Sequence, residues 1–241
     1  MITLPEVEKL GRIHAVEPVV LSLYLNVPRS AAQLPRLPDR VDELVAAERN
    51  TGRSGHLREE DWRSAREEAA LAAPDWPGHP LAIFACAEVG LLEVIVLPEA
   101  RPGMASERAV LGVRPHIRPL LAVLQSSPRL TAEILAEPGG GLTTVGLPAC
   151  LAAVNARVVE TLVVPYDGLI PGYECGRCGA LGLTVECCPD WGTAPLPVPD
   201  LTEEMVSRTL EDGGQVVVVH DALEGFVARM PSSPSVSRAR T

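Results

Sequence analysis

The chain has 241 residues, of which 46% are hydrophobic and 22% charged, and its formal net charge is −10. This length fits one large domain or two small ones, and the composition is that of a folded globular protein, which argues against general disorder or a fibrous chain. The acidic balance argues against binding of DNA, RNA or membranes through overall charge, and the 3% of aromatic residues is too low for a base-stacking surface.

Residues 1–125 are predicted to form one α/β domain, because two-residue and helical hydrophobic spacings alternate along them. The first strand, over residues 18–27, is expected to bury one face, since its leucines alternate with Ser22, Tyr24 and Asn26. The other predicted elements are helices over 39–49 and 59–73, antiparallel strands over 81–87 and 91–97, a bent extended or turn segment over 105–113 and an apolar helix over 117–125.

Residues 126–230 are predicted to form a second domain, an α/β/α sandwich joined to the first at residues 126–128. Its strand, crossover, helix and strand order is typical of small α/β sandwiches. The polar residues 231–241 are predicted to be a disordered tail. The elements expected in the domain are helices over 130–136 and 147–157, a buried strand over 158–164, a helix over 201–210 capped by Asp200 or Thr202, and a buried strand over 215–219.

Residues 174–192 read ECGRCGALGLTVECCPDWG and are typical of a zinc ribbon inserted in that sandwich. The CxxC spacing lets two thiolates reach one tetrahedral Zn²⁺. Trp191 stands where a complete ribbon has its fourth cysteine, so Asp190 or a water is an alternative last ligand. A degraded ribbon held by packing of Trp191 remains the other interpretation, and a redox role has less support. The candidate ligands of a structural Zn²⁺ are Cys175, Cys178, Cys187 and Cys188.

A second candidate site is a group of arginines with one intervening glutamate, Glu107. Such a group can contact the phosphates of rRNA, or it can be a solvated loop with weak surface ion pairs. The candidates for rRNA contact are Arg101, Arg108, Arg114 and Arg118, with His116 among them.

The tripeptide Gly213-Gly214-Gln215 matches the catalytic signature of class-1 peptide release factors, but its position predicts a structural role. It lies between a predicted helix and a buried strand, where glycine serves the turn. The sequence contains no HExxH, nucleophile elbow, P-loop or dinucleotide-binding pattern. We therefore expect a protein that is not an enzyme.

The amino terminus carries no targeting signal, because residues 1–10 contain two glutamates and no apolar core of a signal peptide. No apolar run approaches the ~18 residues of a membrane span. A cytoplasmic protein that binds no membrane is expected.

The order of segments resembles that of the bacterial relatives of the archaeal and eukaryotic class-1 release factor (peptide chain release factor subunit 1), which include the Balon-type ribosome hibernation factors. The resemblance covers about residues 17–125 and 129–230. It rests on VVLSLYLNVPRS, LAIFAC, LLEVIVLP, VRPHIRPLLAVL, GLTTVGLPACLAAVNARVVETLVV, CCPDWG and DLTEEMVSRTLEDGGQVVVVHDALEGFVARM.

The resemblance implies that the second half corresponds to the third domain of these factors, which would dock a translational GTPase such as elongation factor Tu or the ribosomal stalk base. The first half would face the decoding region. Two departures put codon reading and peptide release in doubt. The stop-codon motif Asn-Ile-Lys-Ser is missing, and residues 126–130 alone stand where the family has its middle, GGQ-bearing domain. Either this homologue lacks that domain or the sequence is joined across a gap between Gln125 and Ser126.

Two functions are compatible with these features. The first is a ribosome-associated factor without peptidyl-tRNA hydrolase activity, with a role in hibernation, rescue or stress. The alternative is a cytosolic, metal-stabilised protein-interaction module with no ribosomal role. The charge distribution is compatible with both functions. Residues 126–241 carry 7 basic and 14 acidic residues and would suit a protein partner, whereas residues 1–125 carry 14 and 17 and are less acidic.

Overall fold

The computed structural model describes residues 3–15, 19–50, 57–98, 107–124, 143–166, 168–186, 188, 191–219 and 226–231. The fold is α/β, as predicted. Within these residues each half of the chain contributes a four-stranded sheet, and the second half adds a three-stranded sheet. No helix among them combines the length and the apolar character that a bilayer crossing requires. The predicted joint, the helix over 130–136 and residues 232–241 of the tail lie outside the described residues.

The first sheet is entirely antiparallel, and its strand order is β3-β2-β1-β4. The predicted antiparallel pair is confirmed as β2 and β3, and the extended segment is a regular strand, β4. The elements of this half are α1 (Leu4–Gly11), β1 (Val20–Asn26), α2 (Leu37–Arg49), α3 (Glu59–Ala72), β2 (Pro80–Cys86), β3 (Leu91–Val96), β4 (Arg108–Gly112) and α4 (Arg118–Leu124).

The prediction that β1 has one exposed face is wrong, because every residue from Val20 to Leu25 is buried. Leu21, Leu23 and Leu25 belong to a hydrophobic cluster with α2 and α3. Tyr24, on the opposite face, belongs to a second cluster that contains residues of both halves of the chain. Ser22 and Tyr24 on that face are buried because both hydrogen-bond the backbone of His116, in the segment before α4, and alternation within one strand cannot reveal such a distant contact.

The second sheet has the order β10-β6-β11-β5, with β6 and β10 parallel and the remaining pairs antiparallel. The helix expected over 147–157 ends at Asn155, and Arg157 then has a φ of 56°. This left-handed residue stops the helix and delays the following strand to Thr161. The elements of this half are β5 (Thr143–Val145), α5 (Leu147–Asn155), β6 (Thr161–Pro165), β7 (Gly172–Glu174), β8 (Leu181–Gly182), β9 (Leu196–Val198), α6 (Leu201–Glu211), β10 (Gln215–Val219) and β11 (Val227–Arg229).

The cysteine ribbon is a separate three-stranded antiparallel sheet of order β8-β7-β9, inserted between β6 and α6. It is fixed to the body by hydrogen bonds with residues of α5 and α6, and its Leu181 and Val198 pack in the core cluster. Asn155 exchanges hydrogen bonds with the backbone of Leu181, both at 2.9 Å, and Arg208 on α6 donates to Glu174 at 2.8 Å. The ribbon is therefore held at the C-terminal ends of both sandwich helices.

Candidate metal centre and buried polar cluster

The CxxC segment forms a tight turn that directs two thiols to one side. The Gly179 N–H donates to the Cys175 carbonyl at 2.7 Å, and the Cys175 N–H donates to the Ala180 carbonyl at 2.8 Å. Gly179 has a φ of 75°, a conformation that favours glycine. The spacing in the sequence thus produces the turn that a metal-binding knuckle needs.

Three of the four predicted cysteine ligands are brought together. The sulfurs of Cys175, Cys178 and Cys188 all lie within 4.8 Å of one another, and those of Cys178 and Cys188 are 3.5 Å apart. Four sulfurs at about 2.3 Å from a tetrahedral Zn²⁺ are about 3.8 Å apart, so this spacing fits a metal ion. The cluster can therefore hold a metal through three cysteines. The fourth predicted ligand, Cys187, lies outside the described residues, as does Asp190.

The surroundings of Cys175 favour its thiolate. The backbone N–H of Cys178, the hydroxyl of Thr193 and the backbone N–H of Arg177 lower the pKa of Cys175 to about 6. The Thr193 oxygen is 3.2 Å from the sulfur. Because a thiolate is the form that binds metal, this ligand needs little further deprotonation at neutral pH.

Trp191 does not pack the ribbon together. Its side chain is 48% exposed, and the Arg177 guanidinium carbon stacks 3.8 Å from the ring centroid. A ribbon held together by packing of Trp191 would require that side chain to be buried. Trp191 and Arg177 instead form an exposed cation–π pair beside the cysteine cluster.

Two of the four arginines predicted to contact rRNA are buried, which corrects that prediction for them. Arg118 is fully buried and donates to Asp200 at 2.6 Å, and Arg114 is buried and donates to Glu204 at 3.0 Å and to Glu211. Their charges are neutralised inside the protein, so neither reaches an RNA phosphate.

The other two arginines are not part of that cluster of ion pairs. Arg108 is half-buried, with its guanidinium carbon 5.7 Å from the Tyr24 ring centroid. Arg101 lies outside the described residues. The structure therefore does not assemble the four arginines into one basic surface within the part it describes.

The residues at and just before the start of α4 instead pack against the first turn of α6 and hydrogen-bond with it. Asp200 caps that helix, as predicted, by accepting the Thr202 N–H at 3.1 Å. The Glu203 carboxylate accepts the backbone N–H groups of Ile117 at 2.6 Å and Arg118 at 3.4 Å. Residues of the first half thus supply the partners of an acidic helix end in the second half.

His116 lies at the centre of this junction, and its Nε2 is 3.4 Å from Asp200 Oδ2 and 3.5 Å from Glu203 Oε2. Burial lowers the pKa of His116 to about 4, so the imidazole is neutral. Burial likewise raises the pKa of Glu203 to about 8, partly opposed by the Arg118 charge. These shifts have one cause, the removal of water from groups that the two halves enclose together.

Sequence reasoning missed this cluster. Glu203 and Glu204 fit the ordinary preference of acidic residues for the first turn of a helix, and that preference explained them fully. Their partners lie more than 80 residues away, at Arg114, Ile117 and Arg118. The unbalanced arginines around His116 were the available signal, but a phosphate contact and a solvated loop with surface ion pairs both fit it, and neither places the arginines in internal ion pairs.

The Gly213-Gly214-Gln215 segment is the turn between α6 and β10, as predicted. Gly213 has a φ of 85°, and Gly214 donates to the Thr209 carbonyl at 2.8 Å. The Gln215 N–H donates to the Glu160 carbonyl, and Gln215 is the first residue of β10. The backbone of this tripeptide is occupied by structural hydrogen bonds.

No family model matches the chain. Among solved structures, one described as "Archaeal protein" is similar at 12% sequence identity and a TM-score of 0.27, with 94% of this chain and 96% of that chain covered. A score and an identity this low do not establish a shared fold.

Proposed function

We propose that the protein is a ribosome-associated translation factor of release-factor type that has no peptidyl-tRNA hydrolase activity and acts in ribosome hibernation, rescue or stress. One observation supports this above the others. A cysteine ribbon of three short strands is inserted between the parallel strands β6 and β10, just before α6. This is the helix, strand, ribbon, helix and strand order that the sequence resemblance implies for the third domain of these factors.

The environment of the tripeptide supports the proposed lack of hydrolase activity. Release chemistry requires an exposed loop whose backbone reaches peptidyl-tRNA. Here a methyl group added at Gly214 would lie 2.7 Å from the Val159 carbonyl oxygen, so the turn is packed against its neighbour. Gln215 then enters a strand of the central sheet.

The ribbon contributes structure through a bound Zn²⁺. Cys175, Cys178 and Cys188 would hold the ion, and it would supply no chemistry beyond cross-linking β7, β8 and the segment before β9. Small sheets of this size bury too little apolar surface to be stable alone, which makes the metal part of the fold.

In this proposal the ribbon surface contacts ribosomal RNA, and the acidic second half binds a protein partner. The exposed Arg177, stacked on Trp191, presents a guanidinium that can meet an RNA phosphate. The excess of acidic residues in the second half suits a protein partner, a translational GTPase such as elongation factor Tu. The protein is cytoplasmic in this account and has no role with DNA or membranes.

Sedimentation with purified ribosomes through a sucrose cushion tests the proposal. The full chain should pellet with ribosomes at low and at moderate salt, and Gln215→Ala should pellet equally. Arg177→Ala should pellet less at moderate salt, whereas Arg63→Ala, a matched change of an exposed arginine on α3, should not. Recovery of the wild-type chain in the supernatant at both salt concentrations would overturn the proposal.

The alternative, a metal-stabilised interaction module with no ribosomal role, has one observation in its favour. Four large apolar side chains within residues 183–196 are exposed, and a concentration of exposed apolar residues in one segment is compatible with a protein-binding surface. They are Leu183, Val185, Trp191 and Leu196. Affinity capture with the full chain separates the two functions, because partners that include no ribosomal protein and no translational GTPase select the alternative.

A further inference from the structure

Three potential metal ligands meet at the junction of the two halves, apart from the cysteine cluster. His116 comes from the segment before α4, Asp200 is the N-cap of α6, and Glu203 lies in its first turn. Their ligand atoms all lie within 4.8 Å of one another. The three residues are 1%, 3% and 4% exposed, so water does not screen them.

The two carboxylates are oriented towards the imidazole. Asp200 uses Oδ1 to accept the Thr202 N–H, and Glu203 uses Oε1 to accept the Ile117 N–H. Oδ2 and Oε2 face His116 Nε2, at 3.4 Å and 3.5 Å. Each also accepts a hydrogen bond from Arg118, Oδ2 from the guanidinium at 2.6 Å and Oε2 from the backbone N–H at 3.4 Å. Ligands at about 2.1 Å from a tetrahedral Zn²⁺ are about 3.4 Å apart, so both distances match a shared metal ion.

The imidazole itself is the second, independent observation. Neither ring nitrogen of His116 has a hydrogen-bond partner among the described residues, although the side chain is buried. A buried polar group without a partner costs about 1–3 kcal/mol, and it is uncommon in native proteins.

The backbone of His116 fixes the ring in this position. Its N–H donates to the Ser22 hydroxyl at 2.9 Å, and its carbonyl accepts the Tyr24 hydroxyl at 2.5 Å. The Tyr24 ring also packs edge-on against the imidazole, with 6.2 Å between centroids. The ring is therefore held towards the carboxylates without a hydrogen bond of its own, as a metal ligand would be.

The charges of the cluster also favour a bound cation. Arg118 pairs with Asp200, and Arg114 pairs with Glu204 and Glu211. Among the described residues, Glu203 forms no ion pair with an arginine, and its ion-pair contact is with His116 Nε2 at 3.5 Å. A bound divalent ion would give Glu203 the close cationic partner that the two arginines give to Asp200, Glu204 and Glu211.

We propose that His116, Asp200 and Glu203 form a second metal site, one that takes a divalent transition-metal ion such as Zn²⁺ and ties the first half of the chain to the start of α6. Imidazole and carboxylate ligands suit Zn²⁺, and the ligand spacing is close to that of tetrahedral coordination. Arg118 shares Oδ2 of Asp200 with the metal, since a carboxylate oxygen accepts two partners. The site does not depend on the proposed ribosomal function.

Because the ligands are enclosed, the metal enters as the two halves come together during folding. The test therefore loads the full chain during refolding. Cys175→Ser/Cys178→Ser, which removes the ribbon site, is refolded with Zn²⁺, desalted and analysed for zinc. About one zinc per chain is expected to remain. Adding His116→Leu should lower it below about a tenth, whereas His14→Leu, a matched change of an exposed histidine, should leave it unchanged.

Less than about a tenth of a zinc per chain in the folded cysteine variant would overturn the proposal and leave Glu203 as a protonated side chain. Refolding the metal-free wild-type chain in the presence of increasing Co²⁺ covers the case in which the cysteine variant does not fold. One equivalent of Co²⁺ should produce thiolate-to-metal charge-transfer absorption, and a second should add visible d–d absorption without it. Saturation of all absorption at one equivalent would contradict a second site.

Discussion

Arg118→Met tests the buried junction most sharply among single substitutions. The guanidinium is fully buried and donates to Asp200 at 2.6 Å, to the Gly168 carbonyl at 2.9 Å and to the Pro165 carbonyl at 3.3 Å. Methionine keeps much of the apolar stem and removes the charge and these three donors. The Asp200 carboxylate and two backbone carbonyls lose a partner where water cannot replace it.

The expected cost follows from these contacts. Removal of one member of a buried ion pair typically costs 3–5 kcal/mol, because the other charge stays buried and uncompensated, so we expect about 4 kcal/mol of lost unfolding free energy. The cost is expected to fall when Asp200→Asn accompanies Arg118→Met, since the pair is then removed together. The coupling in this double-mutant cycle measures the interaction between the two halves.

Urea unfolding followed by far-UV circular dichroism, at matched metal content, is the assay. Arg63→Met is the control, because Arg63 is an exposed arginine on α3 that pairs with Glu59 at 2.6 Å. Exposed pairs of this kind contribute about 0.3–0.5 kcal/mol, so this variant should match the wild type closely. An Arg118→Met chain within about 1 kcal/mol of the wild type would refute the reasoning.

Three further predictions concern the ribbon, a core thiol and the glycine turn. Cys175→Ser should lower the zinc content of the purified chain by about one equivalent, and Cys150→Ser should not; equal zinc in both, by elemental analysis, would contradict the ribbon site. Burial raises the pKa of Cys150 to about 11, so the thiol stays protonated at pH 8. Iodoacetamide should label Cys150 only after unfolding. Labelling of Cys150 in the folded chain at the rate of a free thiol would contradict a buried, protonated thiol. Gly214→Ala should cost about 1–3 kcal/mol in urea unfolding because its new methyl would meet the Val159 oxygen, whereas Gln215→Ala should be within about 0.5; similar values for both would refute a structural turn.

Much of the fold could be predicted from local patterns. The helices α2, α3 and α6, the hairpin strands β2 and β3, and β10 all follow from hydrophobic spacing and helix caps, which depend on neighbours in sequence. The second buried face of β1 could not be predicted, because its polar residues are enclosed by contacts with His116, about 90 residues further along the chain. The early end of α5 depends on one non-glycine residue, Arg157, in a left-handed conformation that propensity does not favour.

The cysteine cluster and the buried polar cluster also differ in how far they could be predicted from the sequence. The cysteine cluster was predictable because CxxC spacing fixes the geometry within a single turn, and Cys188 follows ten residues later. The cluster of His116, Asp200 and Glu203 joins residues more than 80 positions apart, which no spacing rule connects. A charged side chain alone does not show whether its partner is solvent, a ligand or a distant segment, and the arginines of the first half illustrate this.

Fractionation of a cell lysate on a sucrose gradient tests the central claim, association with ribosomes, most directly. The full chain is detected across the gradient by immunoblot, with and without EDTA to separate the ribosomal subunits. The account predicts a peak that co-migrates with ribosomes and moves to the subunit fractions in EDTA. A chain confined to the top fractions, under starvation as well as during growth, would contradict it.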